Sequence, residues 1–266
     1  MIRRKQLPVA LTIAGSDSGG GAGMQADLKT FAALGVHGAS AITCLTAQNP
    51  RRVLGIEPAS SIILRQQIEA VFEELPPAAV KTGMLFSAEN VRIVAKFFGA
   101  RAARPRVPLV VDPVMISTSG ARLLEPAAVK ILTGKLLPFA TLVTPNLDET
   151  DILTGRRPAS IEEMRKAARE IYSRYGCAAL VKGGHLRNSR EAADIFFDGQ
   201  TELLLTAPFV KGVRTHGTGC VYSAAICAAL ALGHELPRAV EIGKRFVTAS
   251  ISGSYKIGRY FALGNF

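Results

Sequence analysis

The sequence has no tryptophan, and aromatic residues fill only 6% of its 266 positions. A surface that reads nucleic acid interleaves aromatic side chains with a basic stripe. Here the basic residues fall in short, separate groups: Arg3-Arg4-Lys5, Arg51-Arg52, Arg101 to Arg106 and Arg156-Arg157. The formal net charge of +11 is therefore read as a solvated basic surface, with no nucleic-acid partner. Cysteine is scarce. The four present, Cys44, Cys177, Cys220 and Cys227, form no C-x-x-C pair and no zinc spacing, which predicts reduced thiols in a cytoplasmic protein. No apolar run reaches the ~18 residues of a membrane span, so no membrane partner is expected. The basic start, Met1 to Lys5, leads only into the short run Val9 to Ala14, and no secretory leader is expected. Low-complexity segments and internal repeats are absent as well. So is the sequence G-x-x-x-x-G-K-[ST], which excludes a P-loop NTPase. Gly21-Ala22-Gly23-Met24-Gln25-Ala26 formally fits G-x-G-x-x-A, but Ala41 to Ala47 supplies no acid to hold a ribose, which argues against a dinucleotide site.

What is present is globular: 48% hydrophobic and 20% charged residues, with 25 glycines and 14 prolines spread as punctuation between apolar runs. This predicts a single domain over residues 1–266. The rhythm is strand, glycine turn, helix. Leu7 to Gly15 reads as a buried strand that ends in SDSGGGAG and opens a helix with Met24, Leu28, Phe31 and Ala32 at helical spacing. Ala78 to Val80, Pro108 to Val111, Thr141 to Val143 and Ala178 to Val181 read as further strands. Ser160 with Glu163 predicts a capping box, and that helix is expected to stop at Gly176. Asp198-Gly199-Gln200, between Ala192 to Phe197 and Glu202 to Leu205, predicts a hairpin at one sheet edge. Alternating strands and helices predict an α/β fold, a mostly parallel central sheet with helices on both faces.

In such sheets ligands gather at the carboxyl ends of strands, which directs attention to the polar residues there. His216-Gly217-Thr218-Gly219 runs into an apolar helix, the arrangement of an anion cradle. Asp112 follows the run Val110-Val111. Asn146 and Glu149 stand three apart at a helix start, where two roles fit: ligands near a hydrated Mg²⁺, or a simple helix cap. Lys182, at another strand end, either reaches toward phosphates or sits on a solvated rim. Taken together, an anion cradle, carboxylates and a strand-end lysine describe phosphoryl transfer without a P-loop.

The stretches AGSDSGGGAGMQADLKTFAALG, TAQNP, KTGML, VVDPVM followed by STSG, TPNLDE, VKGGH and THGTGC occur in one order between about residues 9 and 250. In these the sequence closely resembles the hydroxymethylpyrimidine kinase / phosphomethylpyrimidine kinase family of thiamine biosynthesis, within the ribokinase-like superfamily. The resemblance implies a three-layer α/β/α ribokinase-like fold, a homodimer, ATP as donor and Mg²⁺. The implied reaction phosphorylates 4-amino-5-hydroxymethyl-2-methylpyrimidine and then its monophosphate. The resemblance places Gln48, Asp27, Ala22, Met84 and Val114 around the pyrimidine, Lys182 and Asn146 at the nucleotide, and Asp112 and Glu149 at the metal. A Gln amide carries both a donor and an acceptor, which matches an aminopyrimidine edge. The catalytic group implied is Gly217, Thr218, Gly219 and Cys220. Sugar kinases of this superfamily resemble the same turn but carry Asp where Cys220 stands. A thiol is lowered at a helix N-terminus, so Cys220 is expected to serve as base, with a mere spacer as the other reading. The tail Ile257 to Phe266 departs from the family's glycine-proline-rich ending, and Gly99 to Arg106 is unusually basic. A pyridoxal or pyridoxine kinase is the nearest competing reading. A non-catalytic binding module is another, but it would not require the metal and base positions.

Overall fold

The computed structural model describes residues 6–101, 106–115, 124–184, 186, 191–210 and 216–264. Met1 to Lys5, the interior of the Arg101 to Arg106 group, the STSG segment, His185, Arg214 and the last two residues of the tail lie outside the described residues.

Among the described residues nine strands form one sheet in the order β3-β2-β1-β4-β5-β6-β7-β8-β9. Its centre is parallel: β2 (His37–Asn49), β1 (Val9–Asp17), β4 (Ala79–Thr82), β5 (Leu109–Val111), β6 (Leu142–Val143) and β7 (Ala178–Lys182). One edge adds β3 (Arg52–Pro58) antiparallel to β2, and the other adds the hairpin β8 (Glu191–Phe197) and β9 (Glu202–Pro208). The expected hairpin turn is held by Asp198, whose Oδ1 accepts from the N–H groups of Gln200 and Thr201 at 2.9 and 2.6 Å. A separate small ribbon pairs β10 (Tyr255–Ile257) with β11 (Tyr260–Ala262).

Side chains alternate across the strands and so build two cores. One face gathers Leu11, Ile13, Val80, Leu109 and Val111 beneath α2 (Ser61–Glu74), α3 (Ala88–Gly99), α4 (Pro126–Ile131), α5 (Leu147–Thr154) and α6 (Ile161–Tyr175). The other sets Ala10, Val110, Leu142 and Leu180 against α1 (Gly23–Ala33), α7 (Thr218–Ala231) and α8 (Leu236–Ser252). Three layers result, as expected. Helix α7 is apolar all round because α8, α1 and the sheet cover it on every side, and Val221 to Ala229 are all buried. Gly243 lets α8 approach, since a Cβ there would lie 2.5 Å from Ile226.

Two expectations need correction. In α1 the buried residues are Ala26, Asp27, Thr30 and Phe31, while Ala32 is exposed. Polar side chains with buried partners turn toward the sheet and rotate the face away from the apolar spacing. Strands β2 and β3 were not anticipated. Ala39, Ala41 and Cys44 on β2 are small, and most of β3 is exposed, so neither carries a strong apolar alternation. The α6 signals are close to expectation. Ser160 Oγ accepts from Glu163 N, Gly176 ends the helix at φ 72°, but Glu163 Oε2 accepts from Ala159 N, one residue before the cap.

Candidate active site

The parallel strands end on one edge of the sheet, and the chain there folds around Asp17. Its Oδ1 accepts from Gly19 N at 2.9 Å, and its Oδ2 from Gly21 N and Ala22 N at 3.1 and 2.8 Å. Burial alone would raise this carboxyl, but bonds from His216, Gly19 and Ala22 more than offset it and hold Asp17 below its ordinary value. The glycine loop is thereby closed onto the turn that opens α7. Gly217, at φ 84°, lies so close to Gly21 that any Cβ would overlap the Gly21 carbonyl. It caps α7 without a side chain, leaving the positive helix end to face the strand ends.

Lys182, at the end of β7, points into the same place. Its Nζ is 3.1 Å from Asp112 Oδ1 and 3.3 Å from where a Cβ on Gly219 would stand. It is neither a solvated rim lysine nor an unpaired cation. Asp112 also accepts from Thr144 Oγ1 at 3.3 Å and from Ser223 Oγ of α7 at 3.1 Å. Burial works against its charge, and Lys182, Lys81 and these donors together hold the carboxyl down. Glu149 is pushed the other way, to about 7, by burial and by Asp112, with Lys182 opposing.

Glu149 and Asn146 do form a capping box: Asn146 Oδ1 accepts from the N–H groups of Asp148 and Glu149, and Glu149 Oε2 accepts from Asn146 N at 2.9 Å. Glu149 Oε1 accepts from Met115 N at 3.1 Å, next to Val114, a β-branched residue at the unusual φ of 42°. Among the described residues no group of three or more His, Cys, Asp or Glu is arranged to hold a metal alone. Two carboxylates remain, Asp112 and Glu149, each with lone pairs to spare. That donor set suits a Mg²⁺ that keeps most of its waters.

Beneath lies a feature that sequence reasoning missed. Lys81 of β4, fully buried, places Nζ 2.7 and 2.8 Å from the two oxygens of Asp27, which also accepts from Thr12 Oγ1 at 2.6 Å. Burial alone would favour the neutral amine, but the Asp27 carboxylate holds Lys81 charged. Asp27 was expected at the pyrimidine. It is fully buried, with both oxygens accepting from Lys81. The signal was a lysine inside the apolar run AAVKTGM.

Cys220 lies in the first turn of α7, half-buried, with Gly23 N–H donating to its sulfur. The expected lowering is reversed. Burial pushes the thiol up to about 11, with Asp27 and Asp112 adding and Lys81 opposing. Across the pocket Met84 is half-buried, its sulfur 3.8 Å from where a Cβ on Gly15 would stand, and Ala22 is buried behind the Gly21 turn. Gln48, at the end of β2, meets His216 side chain to side chain at 2.8 Å, although 168 positions separate them.

An anion cradle, two carboxylates and two paired lysines at the strand ends of a three-layer α/β/α sheet define a ribokinase-like phosphotransferase. Residues 17–265 match the family model of phosphomethylpyrimidine kinase. The chain belongs to that family. It is 50% identical over 253 residues to the hydroxymethylpyrimidine/phosphomethylpyrimidine kinase of Rhizobium meliloti, covering 94% of this chain and 92% of that one. The solved phosphomethylpyrimidine kinase of Clostridium difficile superposes with a TM-score of 0.80 at 41% identity, covering 91% of this chain and 98% of that one. The pyridoxal kinase of Staphylococcus aureus, solved with AMP-PCP and pyridoxal, superposes with a TM-score of 0.86 at 35% identity, covering 98% and 94%.

Proposed function

We propose that this chain is the ATP-dependent kinase that phosphorylates 4-amino-5-hydroxymethyl-2-methylpyrimidine to the monophosphate and then the diphosphate, for thiamine biosynthesis. One observation carries the reading. The amide of Gln48 touches the residue directly before the Gly217-Thr218-Gly219 cradle, so ring recognition and phosphate binding share one pocket.

In the first step the substrate hydroxyl oxygen bonds to the γ-phosphorus, the bond from that phosphorus to the β-bridging oxygen breaks, and ADP leaves. Cys220 thiolate takes the hydroxyl proton, with Lys81 and Gly23 N–H stabilising the charge on sulfur. Gly217, Thr218 and Gly219 cradle the transferring group. Lys182 and Asn146 hold the nucleotide phosphates, the latter through its Nδ2, since Oδ1 serves the helix cap. Asp112 and Glu149 would hold Mg²⁺, which when bound would supply positive charge against the phosphates. Gln48, Ala22, Met84 and Val114 surround the pyrimidine. The chain works as one domain, in the cytoplasm, as a homodimer. The dimer face is the β2–β3 edge and α2, where Leu45, Val53, Leu54, Ile62 and Ile63 are all exposed.

Replacing Gln48 with Ala is expected to weaken the aminopyrimidine by about 1–3 kcal/mol, the cost of stranding buried polar groups. Calorimetric titration of the pyrimidine and of ATP checks this. Equal losses for both would assign Gln48 to the fold. For the metal, Glu149→Gln should raise the Mg²⁺ concentration needed for half-maximal rate, measured where the variant is fully folded, since one of its two backbone N–H partners then faces an amide NH2. If the Mg²⁺ titration does not move, Glu149 serves the helix cap alone.

A further inference from the structure

Gln48 is flanked on both sides, and its neighbours fix which end of the amide is which. Thr46 Oγ1 lies 2.8 Å from Ser16 O and 3.3 Å from Gln48 Oε1. A hydroxyl has one hydrogen, and the shorter contact to a carbonyl takes it. Thr46 therefore offers Gln48 a lone pair, which calls for the amide NH2 on that side. In the structure Gln48 Nε2 stands 2.8 Å from His216 Nε2; exchanging the two amide ends, which fill the same space, puts the carbonyl there and makes the imidazole the donor. Asp17 supports that arrangement, because its carboxylate Oδ2 lies 3.5 Å from the same nitrogen and favours a proton there. The pair of contacts takes one hydrogen and one lone pair from Gln48. One of each remains, side by side, on the edge left open.

The order of that open edge matters for an aminopyrimidine. Its amino group must meet the amide carbonyl, and its ring nitrogen the amide N–H. With the carbonyl on the His216 side, the amino group lies there too. The hydroxymethyl group is borne on the neighbouring ring carbon and falls toward Gly217 and Cys220. With the amide reversed, the ring would have to turn over, and the hydroxyl would face away from the cradle.

We infer that His216, oriented by Asp17, is a specificity-determining positioning residue: it donates to the Gln48 carbonyl and so selects a 4-aminopyrimidine over its 4-oxo counterpart, whose donor and acceptor are exchanged. This rests on the proposed pyrimidine kinase function. The test compares kcat/KM for the 4-amino and 4-oxo hydroxymethylpyrimidines in wild type, His216→Ala and Thr46→Val, with KM for ATP alongside. The amino-over-oxo preference should narrow by roughly tenfold in His216→Ala, the effect of one hydrogen bond. The ATP KM should stay within about twofold, and Thr46→Val should narrow the same preference if His216→Ala does not fold. Equal loss for both pyrimidines, or a matching rise in the ATP KM, would overturn the inference while leaving the kinase reading intact. A wild-type enzyme that turns over neither pyrimidine would overturn both.

Discussion

Replacing Cys220 with Ala or Ser is expected to lower turnover of the pyrimidine alcohol by about 10²–10⁴-fold, the range of general base catalysis. Ser keeps the size but its hydroxyl has a far higher pKa, and Ala removes the acceptor altogether. Asp, the residue of the sugar-kinase relatives, should recover part of the loss. Two internal controls follow from the chemistry. The second phosphorylation attacks through a phosphate oxygen that is already anionic near neutral pH, so it needs no base. Its rate should fall much less than that of the first step in the same variants. The second control is pH. Burial raises the thiol to about 11, so thiolate is the minority form at neutrality. Its fraction, and with it the first-step rate, should climb by about tenfold per pH unit below that value. In Cys220→Asp the carboxylate is already ionised and this rise should vanish. Stopped-flow or quench measurement of the first step across pH 6–9 (roughly the stable range) checks all three. Near-normal turnover in both Ser and Ala variants would make the thiol a spacer, leaving electrostatics and positioning to carry the step.

Removal of Lys81 should cost the fold more than any other single change considered. Lys81→Met leaves the Asp27 carboxylate fully buried without its counter-ion, and breaking such a pair typically costs about 3–5 kcal/mol. Lys81→Met combined with Asp27→Leu removes both charges, and its denaturant midpoint should return most of the way to wild type. Activity should not return with it. The positive charge that opposes the rise of the Cys220 thiol is gone, and its effect exceeds that of the Asp27 charge removed with it, so the pH-dependent limb of the first step should shift to higher pH. A double variant no more stable than the single one, or one with full activity, would remove Lys81 from this role.

The pattern of legibility follows from what a linear pattern can hold. Strands β1 and β4 to β7 are buried on both faces, and continuous apolar runs announce them. Strand β2 is built from Gly38, Ala39, Ser40, Ala41 and Thr43, small residues that fit under α1 and α2 but carry little signal of their own. The Asn146 and Glu149 spacing was legible but ambiguous, because the same two side chains suit a cap and a cation. Nothing local to Asp27 shows that its partner is Lys81, 54 positions away. The same holds for Asp17, His216 and Gln48, drawn together only when the glycine loop closes on the turn before α7. The thiol was misjudged for a related reason: the helix start is local and visible, whereas the burial that outweighs it comes from the whole sheet edge.

The measurement that bears most directly on the proposed function is a coupled ADP-release assay on the wild-type enzyme with three acceptors: the pyrimidine alcohol, its monophosphate and pyridoxal. Phosphate transfer to both pyrimidines, with the alcohol passing through the monophosphate to the diphosphate and pyridoxal used less efficiently, is the expected result. Turnover of pyridoxal alone, or ADP release that no acceptor stimulates, would contradict it.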